Sequence, residues 1–446
     1  MLVEGGARGG GPSIEFDRAD GLLYAFRERG APIDMRGLRI FLIVVAAAAA
    51  VSSGALCQPL PMAKRPEDAG FSSERLERLR GQFKTDVEAG RFPGAVLLLA
   101  RKGKIAAFDA VGFEDRKAKK AMRTDSIFRI ASMTKPITST AVMMLAEEGK
   151  IDIGAPVSKY LPEFKDVKVG ADRAALKRPP TVHDLLRHTG GLTYGIFGNS
   201  PVDQLYQKAP IFTAKSLKEL VSTIASLPLA HQPGEVWEYS ISTDVLGRIV
   251  EVASDMEFDR FIATRITGPL KMTDTAFYLT SAQAARLAHS DTPMALGGDA
   301  TVKPPAPSGG GGLLATAGDY GRFCQMLLNG GELEGARILS RKTVELMTSD
   351  QVPAATERRS AVSMLLDAFG PTPEMGTSFG LGFAVRVAAG RNPVPGSPGD
   401  FSWCGITGTY FWVDPKEDLV AVLMIQQPQA VPVWRETRTL VYQAMH

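Results

Sequence analysis

Apolar residues recur at helical spacing from Ser72 to Val87, with Leu76, Leu79, Phe83 and Val87 on one face, and predict an amphipathic helix. The period then shortens. Gly94–Ala100 is an almost unbroken apolar run, and Lys104–Val111 follows it across Arg101-Lys102-Gly103, which predicts two strands joined as a hairpin. From about Ser132 to Leu328 helical patterning dominates, interrupted by loops containing proline and glycine. Strand patterns return at Phe379–Val387, Tyr410–Val413 and Leu419–Ile425, and Trp434–Met445 reads as a closing helix. Strands at both ends with helices between them predict an α+β fold, one sheet drawn from both chain ends and a helical insertion, rather than alternating βαβ units.

The amino-terminal end stands apart. Residues 1–34 are rich in Gly, Arg and Asp without sustained periodicity, and read as a disordered extension or as sequence upstream of a second start at Met35. Arg36 and Arg39, the apolar run Ile40–Val51 and the small residues Ser52-Ser53-Gly54-Ala55 then have the form of a secretory signal peptide over 35–55. The run is short for a bilayer span, so an uncleaved membrane anchor is the competing reading. The expected location is secreted or periplasmic. The remainder, 58–446, is expected to be a single catalytic unit, with a sheet part of about 58–125 and 330–446 and a helical part of about 126–329.

Composition excludes several classes of function. A formal net charge of +3 over 446 residues, without an extended basic block, argues against nucleic-acid binding. Three cysteines, Cys57, Cys324 and Cys404, allow one pair at most and form no disulfide framework. The histidines show no ligand spacing, since His183 and His188 fall on different faces of a helix, so neither a metal nor a cofactor is expected.

Ser132-Met133-Thr134-Lys135 carries the first candidate chemistry. A serine hydroxyl attacks a carbonyl only when a base removes its proton, and a lysine three residues along a helix points the same way. Pro136 is tolerated only in a first helical turn, so the helix should begin near Ala131 or Ser132. The positive helix end and burial would both favour a neutral lysine and an ionised serine. The second element, Gln232-Pro-Gly-Glu-Val-Trp-Glu-Tyr239-Ser240, leads into an apparent helix, Asp244–Ala253, and presents a tyrosine at the junction. The third, Trp403-Cys404-Gly405-Ile406, enters a strand whose backbone N–H groups can hold an oxyanion. Ser308-Gly309-Gly310-Gly311-Gly312 fits either a linker or a tight loop beside a cleft.

These elements, in this order, resemble the serine β-lactamase and penicillin-recognising superfamily, and within it the class C β-lactamase-like esterases called family VIII carboxylesterases. The resemblance runs from about Phe71 to Ile425. It includes Phe128-Arg-Ile-Ala-Ser-Met-Thr-Lys135, Leu185-Leu-Arg-His-Thr-Gly-Gly-Leu192, Pro233-Gly-Glu-Val-Trp-Glu-Tyr239-Ser240 and Phe379-Gly-Leu-Gly-Phe383. It implies a β-lactamase/transpeptidase-like fold, an antiparallel sheet from both chain ends with helices packed on it and a mainly helical subdomain. It further implies Ser132 as nucleophile, Lys135 and Tyr239 sharing the acid–base work, and an oxyanion hole from the N–H groups of Ser132 and Ile406. Trp403 and Gly405 would line the substrate position.

Two departures bear on the substrate. β-Lactamases and peptidases of this superfamily usually carry Lys-Thr-Gly or His-Thr-Gly where Trp403-Cys404-Gly405 stands, and tryptophan cannot bind a substrate carboxylate. The Tyr-x-Asn pattern reads Tyr239-Ser240-Ile241, without the amide. Both favour neutral esters, with short-to-medium acyl chains, over β-lactams. The competing readings are a β-lactamase or D-Ala-D-Ala carboxypeptidase, and a non-catalytic penicillin-binding-like protein. The partner is a small-molecule ester, with membrane contact only through an uncleaved N-terminal segment. A rival nucleophile, Ser378 in Gly376-Thr-Ser-Phe-Gly380, matches the α/β-hydrolase elbow, but that elbow requires a helix directly after the serine and a later histidine. Here a strand pattern follows, and the only later histidine is His446. His188-Thr189-Gly190 resembles the absent triplet but precedes Tyr239, and reads as a structural loop.

Overall fold

The computed structural model describes residues 60–293, 298–358, 366, 369–428 and 430–446. The expected extension, the signal peptide and Cys57 lie outside the described residues. Helix α1 (Ser73–Glu88) starts at an N-cap in which the Ser72 hydroxyl accepts from the Arg75 N–H, and it buries Leu76, Leu79, Phe83 and Val87 as its spacing predicts. Strands β1 (Gly94–Arg101) and β2 (Lys104–Asp115) form the expected hairpin, with a bulge at Leu99/Ala100. After β3 (Lys120–Ala121), the sheet is completed by the C-terminal part of the chain. Its strands are β4 (Thr377–Phe379), β5 (Ala384–Arg386), β6 (Phe401–Cys404), β7 (Tyr410–Asp414) and β8 (Leu419–Ile425). The order is β3-β2-β1-β8-β7-β6-β5-β4, with every neighbouring pair antiparallel.

Chain ends meet at the β1–β8 pair, registered from Ala95↔Ile425 to Arg101↔Leu419. Every residue of β1, β7 and β8 is buried, as expected for central strands covered on both faces. Alternation along β7 assigns its neighbours. Phe411 stacks on Tyr320 of α4 (Ala317–Leu328), whereas Tyr410 stacks on Trp434 of α5 (Val431–Gln443). Because Trp403 pairs with Phe411, it belongs to the α4 face. Helix α4 thus lies against the sheet, and Tyr320 Oη donates to the Met133 carbonyl at 2.8 Å.

Helix α2 (Thr134–Glu147) is buried from Thr134 through Leu145 and packs on α3 (Ser242–Ser254). Its polar residues Thr134, Lys135, Thr138, Ser139 and Thr140 are buried with the apolar ones, so all faces of this stretch lie inside the molecule. No helix among the described residues is long and apolar enough to cross a membrane.

Two expected boundaries change. The strand expected over Phe379–Val387 is a hairpin, β4 and β5. The chain reverses between them because Gly382 holds φ +98°, and a Cβ there would lie 2.6 Å from Ser139 Oγ. Ser378 is consequently a buried residue of the edge strand β4, bonded to Asp350 and followed by a strand, so the elbow geometry does not exist. The helix expected from Ala131 or Ser132 begins instead at Thr134, after a 3-10 turn over Ala131–Met133. Ala131 has φ +43°, a left-handed conformation that a regular helix cannot contain.

Asp400, 5% exposed at its side chain, accepts from Arg386 on β5 at 2.8 Å and from Arg438 on α5 at 2.5 Å. Removing one member of a buried ionic cluster leaves charge without a partner. Asp400→Ala should therefore lower unfolding free energy by about 3–5 kcal/mol in urea titration. A loss below about 1 kcal/mol, the range of surface pairs, would show that the cluster contributes little.

Candidate active site

Ser132 sits in the tight turn that the left-handed Ala131 forces ahead of α2, with its side chain half-buried. One turn on, Lys135 is fully buried and its Nζ has three neighbours: the Gly310 carbonyl at 2.7 Å, Tyr194 Oη at 2.9 Å and Ser132 Oγ at 3.3 Å. Burial pulls its pKa down from 10.5 to about 7, against the attraction of buried Asp244. A neutral amine has two N–H groups and one lone pair. The Gly310 carbonyl can only accept, so it takes one N–H. Tyr194 can take the other, which leaves the lone pair for the Ser132 hydroxyl proton.

Asp244, in the first turn of α3, accepts from Ser308 Oγ at 2.5 Å and from the Gly310 N–H at 3.2 Å. The Gly309 carbonyl accepts from Thr138 Oγ1 at 2.7 Å, and the Leu313 N–H donates to Thr134 Oγ1 at 3.1 Å. The glycine run is thus an ordered loop that fixes the carbonyl facing Lys135, and not a linker. Gly310 is required there, since a Cβ would lie 2.3 Å from Asp244 Oδ2 and 2.8 Å from Tyr194 Oη.

Tyr239 packs beside Tyr194, with ring centres 5.6 Å apart, and is 5% exposed, with the Lys135 amine 4.6 Å from its ring centre. Burial pushes its pKa far up, opposed by the neighbouring Ser132 and Trp403 side chains. Its oxygen nonetheless makes no well-aligned hydrogen bond. His188 packs on the Tyr239 ring at 4.9 Å, and its Nδ1 accepts from the Ser240 N–H at 3.3 Å. Burial and Lys135 hold its pKa well below the usual value, so it stays a neutral packing residue.

The structure brings Ser132, Lys135 and Tyr239 together, and sets the β6–β7 turn against the segment before Ser132. Thr407 Oγ1 donates to the Arg129 carbonyl at 2.7 Å, and Thr409 Oγ1 to that of Ile130 at 3.2 Å. Ile406 lies on this turn with its side chain half-exposed. Gly405 has a packing reason of its own: a Cβ would sit 2.5 Å from the Ile130 carbonyl. Trp403 is 2% exposed, its ring centre 5.3 Å from that of Tyr239 and 5.2 Å from that of Phe379. Ile241, the residue standing in place of an asparagine, is buried.

Sequence reasoning missed Tyr194 and Asp244. Tyr194 follows Leu192-Thr193 at the end of the Leu185–Leu192 motif, and Asp244 lies five residues after Tyr239. Neither has a spacing to Lys135 that periodicity detects, because the contacts cross between segments remote in sequence. Among the described residues no three His, Cys, Asp or Glu side chains cluster as metal ligands, and Cys324 and Cys404 are both unpaired and buried.

Residues 79–445 match the Beta-lactamase family. The chain belongs to that family. It is 36% identical over 357 residues to Protein Rv1367c of Mycobacterium tuberculosis, covering 76% of this chain and 87% of that protein. It is 29% identical over 385 residues to Esterase EstB of Burkholderia gladioli, covering 80% and 91%. Among solved structures it is similar to EstCE1, a hydrolase with promiscuous acyltransferase activity. That likeness has a TM-score of 0.70 and 26% identity, and covers 82% of this chain and 98% of the other. The protein is a class C β-lactamase-like serine hydrolase related to the family VIII esterases.

For this β-lactamase-family enzyme, the buried amine sets a pH requirement. A base at Lys135 must be neutral to accept a proton, so if Lys135 serves as that base kcat/KM should rise about tenfold per pH unit below about 7 and level off above it. Burial also raises the Glu238 carboxyl to about 7, so the limb should persist in Glu238→Gln. A profile flat from about pH 5 to 9 would contradict the assignment to Lys135. Stability follows the same sign. The unfolded chain holds the Lys135 proton up to about 10.5, so this residue's contribution improves as pH rises from about 7 towards that value.

Proposed function

We propose that this protein is a secreted carboxylesterase that hydrolyses neutral esters, with short-to-medium acyl chains, through an acyl-enzyme on Ser132. One observation carries the ester preference. At the position where β-lactamases and peptidases of the superfamily present a cation for the substrate carboxylate, Trp403 is buried against Tyr239. An uncharged indole offers a carboxylate no ion pair, whereas a neutral ester needs none. The likeness to Esterase EstB and to the hydrolase EstCE1 supports the same reading, and EstCE1 makes acyl transfer to an alcohol a reaction to include in the assay. Signal-like residues 35–55 support export.

Catalysis then proceeds from the geometry. Neutral Lys135 takes the Ser132 proton as Oγ attacks the ester carbonyl, and the N–H groups of Ser132 and Ile406 hold the oxyanion. Tyr239, kept protonated by burial, gives its proton to the departing alkoxide and recovers one from the Lys135 ammonium. Water enters the vacated alcohol position, gives up a proton along the same groups, and releases the acid.

Ser132→Ala should reduce p-nitrophenyl butyrate hydrolysis about a thousandfold or more. Full retention would remove Ser132 from the reaction. Wild-type kcat/KM for p-nitrophenyl butyrate should exceed that for nitrocefin. The reverse order would favour the β-lactamase reading.

A further inference from the structure

We infer that Trp403 is a positioning residue for Tyr239, its indole N–H supporting the phenolic oxygen while that oxygen hands its proton to the leaving alkoxide. The inference rests on the ester mechanism above and assigns to Trp403 a task other than touching substrate.

An indole N–H is a donor only, and a buried one normally finds an acceptor. Trp434 follows the rule, donating to the Gly408 carbonyl at 2.8 Å. The Trp403 N–H has no well-aligned partner. Trp237 and Trp412 share that condition, and Trp237 also stacks on Tyr239 at 6.3 Å, but Trp403 lies closer and is the one that acts on the phenol's pKa. Its ring lies 5.3 Å from that of Tyr239, and its side chain lowers the phenol's pKa against the effect of burial, as a donor to the phenolate must. The Tyr239 oxygen is itself buried and unpartnered. A buried donor and a buried acceptor, each without a partner, thus belong to rings whose centres are 5.3 Å apart.

The strand fixes this approach. Trp403 pairs with Phe411 on β7, and its ring is held between Tyr239 and Phe379, so the indole cannot turn away. While Tyr239 is neutral the contact is weak. When its proton moves to the alkoxide, negative charge collects on Oη, and a fixed N–H beside it is strengthened at that moment. A lysine here would supply the same support, but its charge would oppose a Lys135 ammonium and attract a substrate carboxylate. The indole gives the hydrogen bond without the charge.

The distinguishing readout is leaving-group dependence. An ethyl alkoxide must be protonated to depart, whereas p-nitrophenolate departs without a proton. In Trp403→Phe, which keeps an aromatic ring against Tyr239 and Phe379, kcat/KM for ethyl butyrate should fall roughly 10- to 100-fold. For p-nitrophenyl butyrate it should fall less than about threefold. Tyr239→Phe should show the same selective loss. The ratio of the two substrates is independent of the fraction of correctly folded enzyme, so partial misfolding of a variant does not mask the result. Equal losses on both esters, or an unchanged ratio, would overturn the inference and leave Trp403 a packing residue. Persistence of activity in Ser132→Ala would instead reject the underlying ester mechanism.

Discussion

Burial of the Lys135 amine is the constraint around which the rest of the site is arranged. A lysine removed from water must either lose its proton or find a counter-charge, and here it meets a carbonyl, two phenols and a serine hydroxyl. Asp244 is close enough to attract the charged form but spends its hydrogen bonds on Ser308 and Gly310, so it fixes the loop and not the ammonium. The consequence is an amine poised near neutrality whose lone pair has one direction open to it, towards Ser132. A more exposed lysine would remain charged, and one paired directly with a carboxylate would be charged more firmly still.

Three parts of the chain remote in sequence must converge to create that environment. Helix α2 carries Lys135, with Ser132 in the 3-10 turn just before it, and is buried from Thr134 through Leu145, so its position is set by whatever surrounds it. The glycine loop Ser308–Gly312 approaches from one side, held by Asp244, Thr134 and Thr138. The sheet approaches from the other, where the β6–β7 turn is bonded to Arg129 and Ile130 and α4 is bonded to Met133. The left-handed Ala131 lies where these constraints meet. Its conformation is one a residue with a side chain adopts only when its neighbours dictate it.

Trp403 illustrates how one replacement alters the electrostatics of a family site without altering its architecture. The strand, its register and the following turn still present a side chain to Tyr239. What changes is charge: an aromatic ring takes the place of a cation and extends a cluster that includes Phe379, Trp237 and His188. That cluster adds to the burial that raises the Tyr239 pKa and lowers that of Lys135.

The sequence alone determined the local and the pairwise features of this protein. Helical spacing located α1, apolar runs located β1 and β8, and the strand-rich ends foretold a sheet drawn from both termini. The order of Ser132-x-x-Lys135, Tyr239 and Trp403-Cys404-Gly405 pointed to a β-lactamase-like serine hydrolase, because each motif is short enough for its residues to be neighbours by backbone geometry. Other features were settled by tertiary structure. The reversal at Gly382 divides a continuous strand pattern, and periodicity cannot register a turn that depends on one glycine at positive φ packed against Ser139. The glycine run was equally compatible with a linker until Asp244 and Thr138 bound it. Tyr194 and Asp244 join the site through contacts between segments remote in sequence, which leave no period in the chain. The sequence could therefore name the candidate reacting groups, whereas the lowered pKa of Lys135 comes from burial, a property of the folded molecule.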